Sequence, residues 1–187
     1  MNFTIRLLSR VLLSLALLTA PALAQSPVLS QFLPDLVAAD LVSGAEGFGP
    51  IQDDLPVAPI LKGGETVGWV FITSDFVGTT GYSGKPIHVA VAIGPDAILQ
   101  AVKLVKHSEP IVLIGIPDAR VKALTESYAG LDIAAEAASG GAAHDLNIIS
   151  GATVTIMVID DSVVRSSIRV ARELGLGGLA PATAPEG

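Results

Sequence analysis

Alternation of apolar positions with polar or small ones predicts a β-sheet in the centre of the chain. Residues 87–93, IHVAVAI, place four β-branched side chains on one face, and His88 with two alanines on the other. Residues 65–75 are rich in β-branched and aromatic side chains, which is typical of a buried strand. After the turn sequence GPDA, residues 98–106 supply a returning strand. The pattern therefore predicts an antiparallel β-meander over residues 65–106.

Helical spacing of apolar residues occurs on both sides of this meander. Residues 27–45 have this spacing and are predicted to form a helix, although a proline such as Pro34 is compatible only with the first turn of a helix. Residues 117–131 begin with proline and end near a glycine, and residues 151–175 keep helical spacing for longer than a strand needs. Between them, residues 132–145 have few bulky side chains and are predicted to form a mobile loop. This order predicts an α+β fold, a small antiparallel β-sheet with helices packed on it.

The N-terminus has the pattern of a secretory signal peptide. Arg6 and Arg10 precede the apolar run VLLSLALL, and Ala22-Leu23-Ala24 then matches a cleavage site with small residues at its first and last positions. Residues 1–24 are therefore predicted to be removed, so that the mature chain begins at Gln25 outside the cytoplasm. The apolar run is short for a membrane span. An uncleaved membrane anchor is the alternative.

Composition narrows the classes of function. A chain of 187 residues with a net charge of -7 and 4% aromatic residues is a poor candidate for binding nucleic acid, which needs a basic face. The absence of cysteine excludes disulfides, thiolate metal sites and cysteine nucleophiles. His88, His107 and His144 lie far apart and lack metal-ligand spacing. The glycine-rich stretch GTTGYSGKP has Pro86 where a phosphate-binding loop needs serine or threonine.

The hexapeptide SGATVT, at the start of the last predicted helix, has more hydroxyl groups than a helix start requires. Ser150 alone could cap the helix, and the threonines could be incidental. The first amides of a helix have no partners within the helix, so they suit a phosphate group. Gly151 would allow the backbone to come close to a bound phosphate, and the small side chain of Ala152 would leave space for it. The motif is therefore either a simple cap or a phosphate-holding site.

Three stretches together resemble one family. SGATVT resembles the flavin-attachment motif of extracytoplasmic FMN-binding domains, in which a flavin transferase links FMN through its phosphate to the threonine after Gly-Ala. The stretches SDFVGTTGYSGKPI, HSEPIVLIGIPDAR and SGATVTIMVI together resemble the periplasmic N-terminal domain of the NosR/NirI family, which is tied to nitrous oxide and nitrite respiration. The resemblance implies an FMN-binding domain over residues 25–175, covalent FMN on Thr153, and a flexible tail or linker over residues 176–187.

The resemblance also implies a set of cofactor-binding residues. The loops GYSGK and HSEP are expected to meet the start of the last helix around the flavin. Tyr82 would pack on the ring or ribityl chain, and Lys85 would lie near the flavin oxygens and favour reduced, anionic flavin. Thr155 is expected to bond back to a preceding carbonyl. The complete predicted set is Thr153, Ser150, Gly151, Ala152, Val154, Thr155, Tyr82, Ser83, Gly84, Lys85, His107 and Glu109.

The function implied by the resemblance is periplasmic electron transfer by covalently attached FMN. The flavin would perform the redox chemistry, so that the chain needs no catalytic side chain and no metal. Its expected partners are a flavin transferase and a membrane or periplasmic redox protein. The competing hypotheses are a non-redox module for the expression or maturation of a respiratory reductase, and a carrier of a small ligand.

Overall fold

A five-stranded antiparallel sheet forms the centre of the molecule. The computed structural model describes residues 26–109, 117–145 and 152–181. Neighbours along the chain are neighbours in the sheet, in the order β1-β2-β3-β4-β5. The strands are β1 Gly47–Phe48, β2 Val57–Lys62, β3 Glu65–Ile72, β4 His88–Ile93 and β5 Leu99–Lys106. The predicted α+β class is confirmed, and the predicted meander accounts for the last three strands.

The first two strands, β1 and β2, lie outside the meander predicted over residues 65–106 and were not predicted from the sequence. Strand β2 pairs along its length with β3, and Gly63 and Gly64 turn the hairpin with φ of 60° and 79°. Both glycines adopt the left-handed conformation that such a turn needs. Pro59 lies inside β2, where a proline argues against a strand when only the sequence is considered.

The N-terminal segment packs on one face of the sheet in three short pieces. They are α1 Leu29–Phe32, a 3₁₀ turn at Leu33–Asp35 and α2 Ala38–Leu41. The predicted continuous helix over residues 27–45 is therefore wrong. The backbone is extended at Leu36 and Val37, which separates the two helices.

The opposite face of the sheet carries the three longer helices. These are α3 Asp118–Glu126, α4 Ile133–Ser139 and α5 Thr153–Leu174. Helix α5 confirms the predicted helix over residues 151–175 and ends at Gly175, whose φ is 67°. Its buried positions pack with the sheet in the larger of two cores, and they include Ile156, Ile159, Val163 and Val170. Leu176, beyond the helix, is also buried in this core.

Helix α4 contradicts the predicted mobile loop at residues 132–145. The Asp132 side chain accepts hydrogen bonds from the amides of Ala134 and Ala135, at 2.9 and 3.0 Å. An alanine-rich segment has a high intrinsic helix propensity, so a cap and a few buried anchors are enough to order it. Ile133 and Glu136 are those anchors, since both are fully buried.

No helix in the described ranges is both long enough and apolar enough to span a membrane. The predicted signal peptide, residues 1–24, lies outside the described residues.

Candidate functional site

The carboxylate of Glu109 joins three distant parts of the chain. The amides of Tyr82 and Ser83 donate to its two oxygens over 3.0 and 3.1 Å, and the Thr155 hydroxyl donates over 2.8 Å. The side chain is 1% exposed. The loop after β3, the segment after β5 and the start of α5 therefore meet at one buried anion.

Gly81 allows this contact to form. A methyl group at Gly81 would lie 2.2 Å from one carboxylate oxygen of Glu109, so no larger residue fits while the carboxylate stays in place. The loop is closed by a bridge between Thr80 and Pro86 and by a left-handed Gly84, whose φ is 70°. Gly81 is not among the site residues predicted from the sequence, although the glycine-rich stretch around it was the available signal.

Glu109 is held as an anion. Burial would raise the pKa of this carboxyl group, but hydrogen bonds from Ser83, Thr155 and Tyr82 outweigh burial and bring the pKa below its usual value of 4.5. Both oxygens are occupied by protein donors. Glu109 therefore serves to join the loop and the helix, and its carboxylate is turned toward the protein.

The two threonines at the start of α5 have different surroundings. Thr153, the first residue of the helix, is exposed, whereas Thr155 is 2% exposed and bonded to Glu109. The expected bond from Thr155 to a preceding carbonyl is therefore wrong. A buried carboxylate accepts a stronger, charge-assisted hydrogen bond than a carbonyl does.

The first turn of α5 provides amides without partners inside the helix. Ala152 is the N-cap residue and makes no side-chain hydrogen bond to the helix, and among bonds between described residues the first amide bonded back is that of Ile156, to the Ala152 carbonyl. A helix start of this kind favours a bound phosphate. Around it lie exposed apolar side chains on the helix and on the Glu109-bound loop, namely Val154, Met157 and Tyr82.

Three more of the predicted site residues, His107, Gly84 and Lys85, are among the described residues. The ring nitrogen Nδ1 of His107 accepts the amide of Glu109 over 3.3 Å, which supports the turn that carries the carboxylate. Gly84 and Lys85 are exposed at the tip of the loop. Ser150 and Gly151 lie outside the described residues.

The fold and this site agree with a known family. The family model described as "FMN-binding domain" matches residues 81–166, from the loop that binds Glu109 through most of α5. Residues 81–166 therefore belong to the FMN-binding domain family. The cofactor of such a domain is FMN, and the exposed hydroxyl and the N-terminal amides at the start of α5 suit its phosphate.

The FMN-binding domain is similar to parts of longer curated proteins. It is 35% identical over 175 residues to Protein NirI of Paracoccus denitrificans, covering 91% of this chain and 25% of the relative. It is 36% identical over 157 residues to Regulatory protein NosR of Pseudomonas aeruginosa, covering 82% of this chain and 22% of the relative. The chain thus spans about a quarter of the length of these relatives, and it is an FMN-binding domain of the NosR/NirI type.

At low pH, the FMN-binding domain should lose the stability that the ionised Glu109 side chain contributes. A group with a lowered folded pKa stabilises the protein above its unfolded pKa, and the effect disappears as pH falls through the folded value. We expect wild type to be more stable than Glu109→Gln at pH 7, and this difference in the free energy of unfolding to shrink between about pH 5 and pH 3. Urea titrations at a series of pH values measure it. A difference independent of pH would show that the charge of Glu109 has no part in joining the loop to the helix.

Proposed function

We propose that this protein is a periplasmic electron-transfer domain that carries FMN as a phosphoester on Thr153. The observation that carries this proposal is the contrast between the two hydroxyls of the motif. Thr153 is exposed at the first turn of α5, while Thr155 is buried and bonded to Glu109. A flavin transferase could therefore reach Thr153 without disturbing the fold.

Attachment requires an activated flavin donor such as a flavin dinucleotide. The Thr153 oxygen attacks the phosphorus of the FMN half and forms the new P–O bond. The bond from that phosphorus to the bridging oxygen breaks, and the other nucleotide leaves with the electron pair. The hydroxyl proton passes to a base of the transferase. The amides at the start of α5 then stabilise the charge on the esterified phosphate.

The chain's own residues would hold FMN and adjust its reduction potential. Bound FMN supplies reversible one- or two-electron transfer. Tyr82 is exposed and anchored through its amide to Glu109, and it would cover the ring or the ribityl chain. Lys85, at the exposed tip of the same loop, would favour the reduced, anionic flavin.

The family supports a role in nitrous oxide or nitrite respiration, with a membrane or periplasmic redox protein as partner. A second candidate follows from the relatives' name, Regulatory protein NosR. It is a non-redox module that supports the expression or maturation of a respiratory reductase. The two candidates differ in whether the attached flavin must change its redox state.

Intact mass after denaturation tests this proposal. The full chain is exported in cells that contain a flavin transferase, purified, and denatured before its mass is measured. We expect a yellow protein that a reductant bleaches reversibly and whose denatured chain retains the mass of one esterified FMN. Yellow colour released on denaturation would refute covalent attachment. Attached flavin that no reductant can bleach would favour the regulatory candidate.

A further inference from the structure

The loop after β3, residues 76–86, contacts helix α5 at three levels. Three residues of α5 anchor it, and each follows the previous one by seven positions: Thr155, Ser162 and Arg169. Seven residues make about two turns of helix, so the three side chains lie on one side of α5 at intervals of about 10 Å. The side of α5 that faces this loop therefore carries regularly spaced polar anchors.

The loop meets the three anchors with every third residue. Its contacting residues are Phe76, Thr79 and Tyr82. The Arg169 guanidinium donates to the Phe76 carbonyl over 3.3 Å and lies 5.7 Å from the centre of its ring. At the other end, the Tyr82 amide and the Thr155 hydroxyl donate to the same oxygen of Glu109. Three residues of extended chain also span about 10 Å, so the loop and the helix share one spacing while they run in opposite directions.

The middle contact is a hydrogen bond between the hydroxyl groups of Thr79 and Ser162. Ser162 is 2% exposed, and its hydroxyl donates to the Val158 carbonyl over 2.6 Å. A serine hydroxyl has one proton to donate, so Thr79 is the donor and Ser162 the acceptor in the bond between them. The loop is thus tied to a buried group of the helix by the proton of one threonine.

Thr79 lies in a part of the loop that is rich in glycine. Gly78 precedes it and Gly81 follows two residues later. Glycine loses more conformational freedom on folding than any other residue, so such a stretch is costly to order. Backbone hydrogen bonds from the amides of Val77 and Gly81 lie on either side of Thr79. Its side chain therefore restrains the stretch between them.

We infer that Thr79 is a positioning residue for the flavin, because its bond to Ser162 keeps the loop in register with α5 and so holds Tyr82 beside the attached FMN. This inference rests on the proposed attachment of FMN to Thr153. Thr153 precedes Thr155 by two residues, and one oxygen of Glu109 joins the Tyr82 amide to Thr155. A side chain held there shields one face of the flavin from water and contributes to its reduction potential.

Fluorescence of the attached flavin tests this positioning, because a tyrosine ring stacked on a flavin quenches its emission. Each variant is purified with covalent FMN from cells that contain a flavin transferase. Its fluorescence is divided by that of the same sample after denaturation, which corrects for flavin content. We expect Thr79→Val to raise this ratio about threefold, because loss of the hydrogen bond frees the loop for part of the time. Tyr82→Ala, which removes the quenching ring, should raise it further.

Two control variants separate the hydroxyl group from the shape of the side chain. Thr79→Ser keeps the hydroxyl and should have the wild-type ratio. Thr80→Val makes the same exchange as Thr79→Val at the next residue, which is exposed, and it should also match wild type.

A double variant separates positioning from a general loosening of the domain. If Thr79 acts through Tyr82, adding Thr79→Val to Tyr82→Ala should leave the ratio of Tyr82→Ala unchanged. An additive increase would show that Thr79 affects the flavin by another route, and it would overturn the inference.

The other outcomes also decide the inference. A wild-type ratio in Thr79→Val would overturn it. So would a wild-type ratio in Tyr82→Ala, since the side chain that Thr79 positions would then not meet the flavin. If Thr79→Val fails to fold, Ser162→Ala removes the acceptor instead, and a wild-type ratio there would overturn the inference. If wild type carries no covalent FMN, the proposed function fails and the inference fails with it. Covalent FMN in wild type with no effect of Thr79→Val refutes the inference alone.

Discussion

Thr153→Val should abolish covalent FMN attachment and leave the domain folded. Valine has nearly the shape of threonine but no hydroxyl, so the phosphoester cannot form. Because Thr153 is exposed at the first position of α5, the free energy of unfolding should change by no more than about 0.5 kcal/mol. Intact mass after co-expression with a flavin transferase measures attachment, and urea unfolding measures stability.

Thr155→Val is the matched control, since it makes the same exchange two residues further along the helix. It should keep the flavin but lose about 1–3 kcal/mol of stability, because the Glu109 carboxylate loses the hydroxyl that donates to it. The assignment of the attachment site would be wrong if the Thr153→Val chain still carried esterified flavin. It would also be wrong if a folded Thr155→Val chain carried none.

Gly81→Ala should be among the most destabilising single-methyl changes in the protein, at about 2–4 kcal/mol. The new methyl group would lie 2.2 Å from a carboxylate oxygen and 2.4 Å from the carboxylate carbon of Glu109. Glu109 could avoid it only by giving up hydrogen bonds inside the protein, which would leave a buried anion short of donors. The loop that carries Tyr82 and Lys85 would then lose its connection to α5.

Gly78→Ala is the control for this prediction, in the same loop. No atom of the described residues lies within 4 Å of a methyl group added there, and the φ of Gly78 is not in the left-handed region. It should therefore leave stability unchanged or raise it by up to about 1 kcal/mol, through the entropy of the unfolded chain. Urea unfolding of both variants is the measurement. Equal stabilities would show that the loop yields without breaking the Glu109 contact.

Local pattern in the sequence was enough to predict the last three strands, the long C-terminal helix and the cofactor. Strand β4 follows from strict alternation, and α5 follows from helical spacing sustained along its length. The hydroxyl-rich motif at the start of α5, together with two other stretches, led to the correct cofactor. Each of these signals lies within a short stretch of sequence. Regular spacing of apolar residues, or a motif with a fixed order of residues, can be recognised without a structure.

The tertiary structure alone decided how the site is held together. Glu109 contacts residues that lie 26, 27 and 46 positions away, and no local pattern specifies which distant donors a carboxylate will meet. The same contact buries Thr155 against Glu109, whereas Thr153, two residues earlier, is exposed. Helix α4 was not predicted, because its segment has few bulky side chains. A cap at Asp132 and the burial of Ile133 and Glu136 order it. Burial and long-range hydrogen bonds are properties of the folded chain, so they could be known only from its structure.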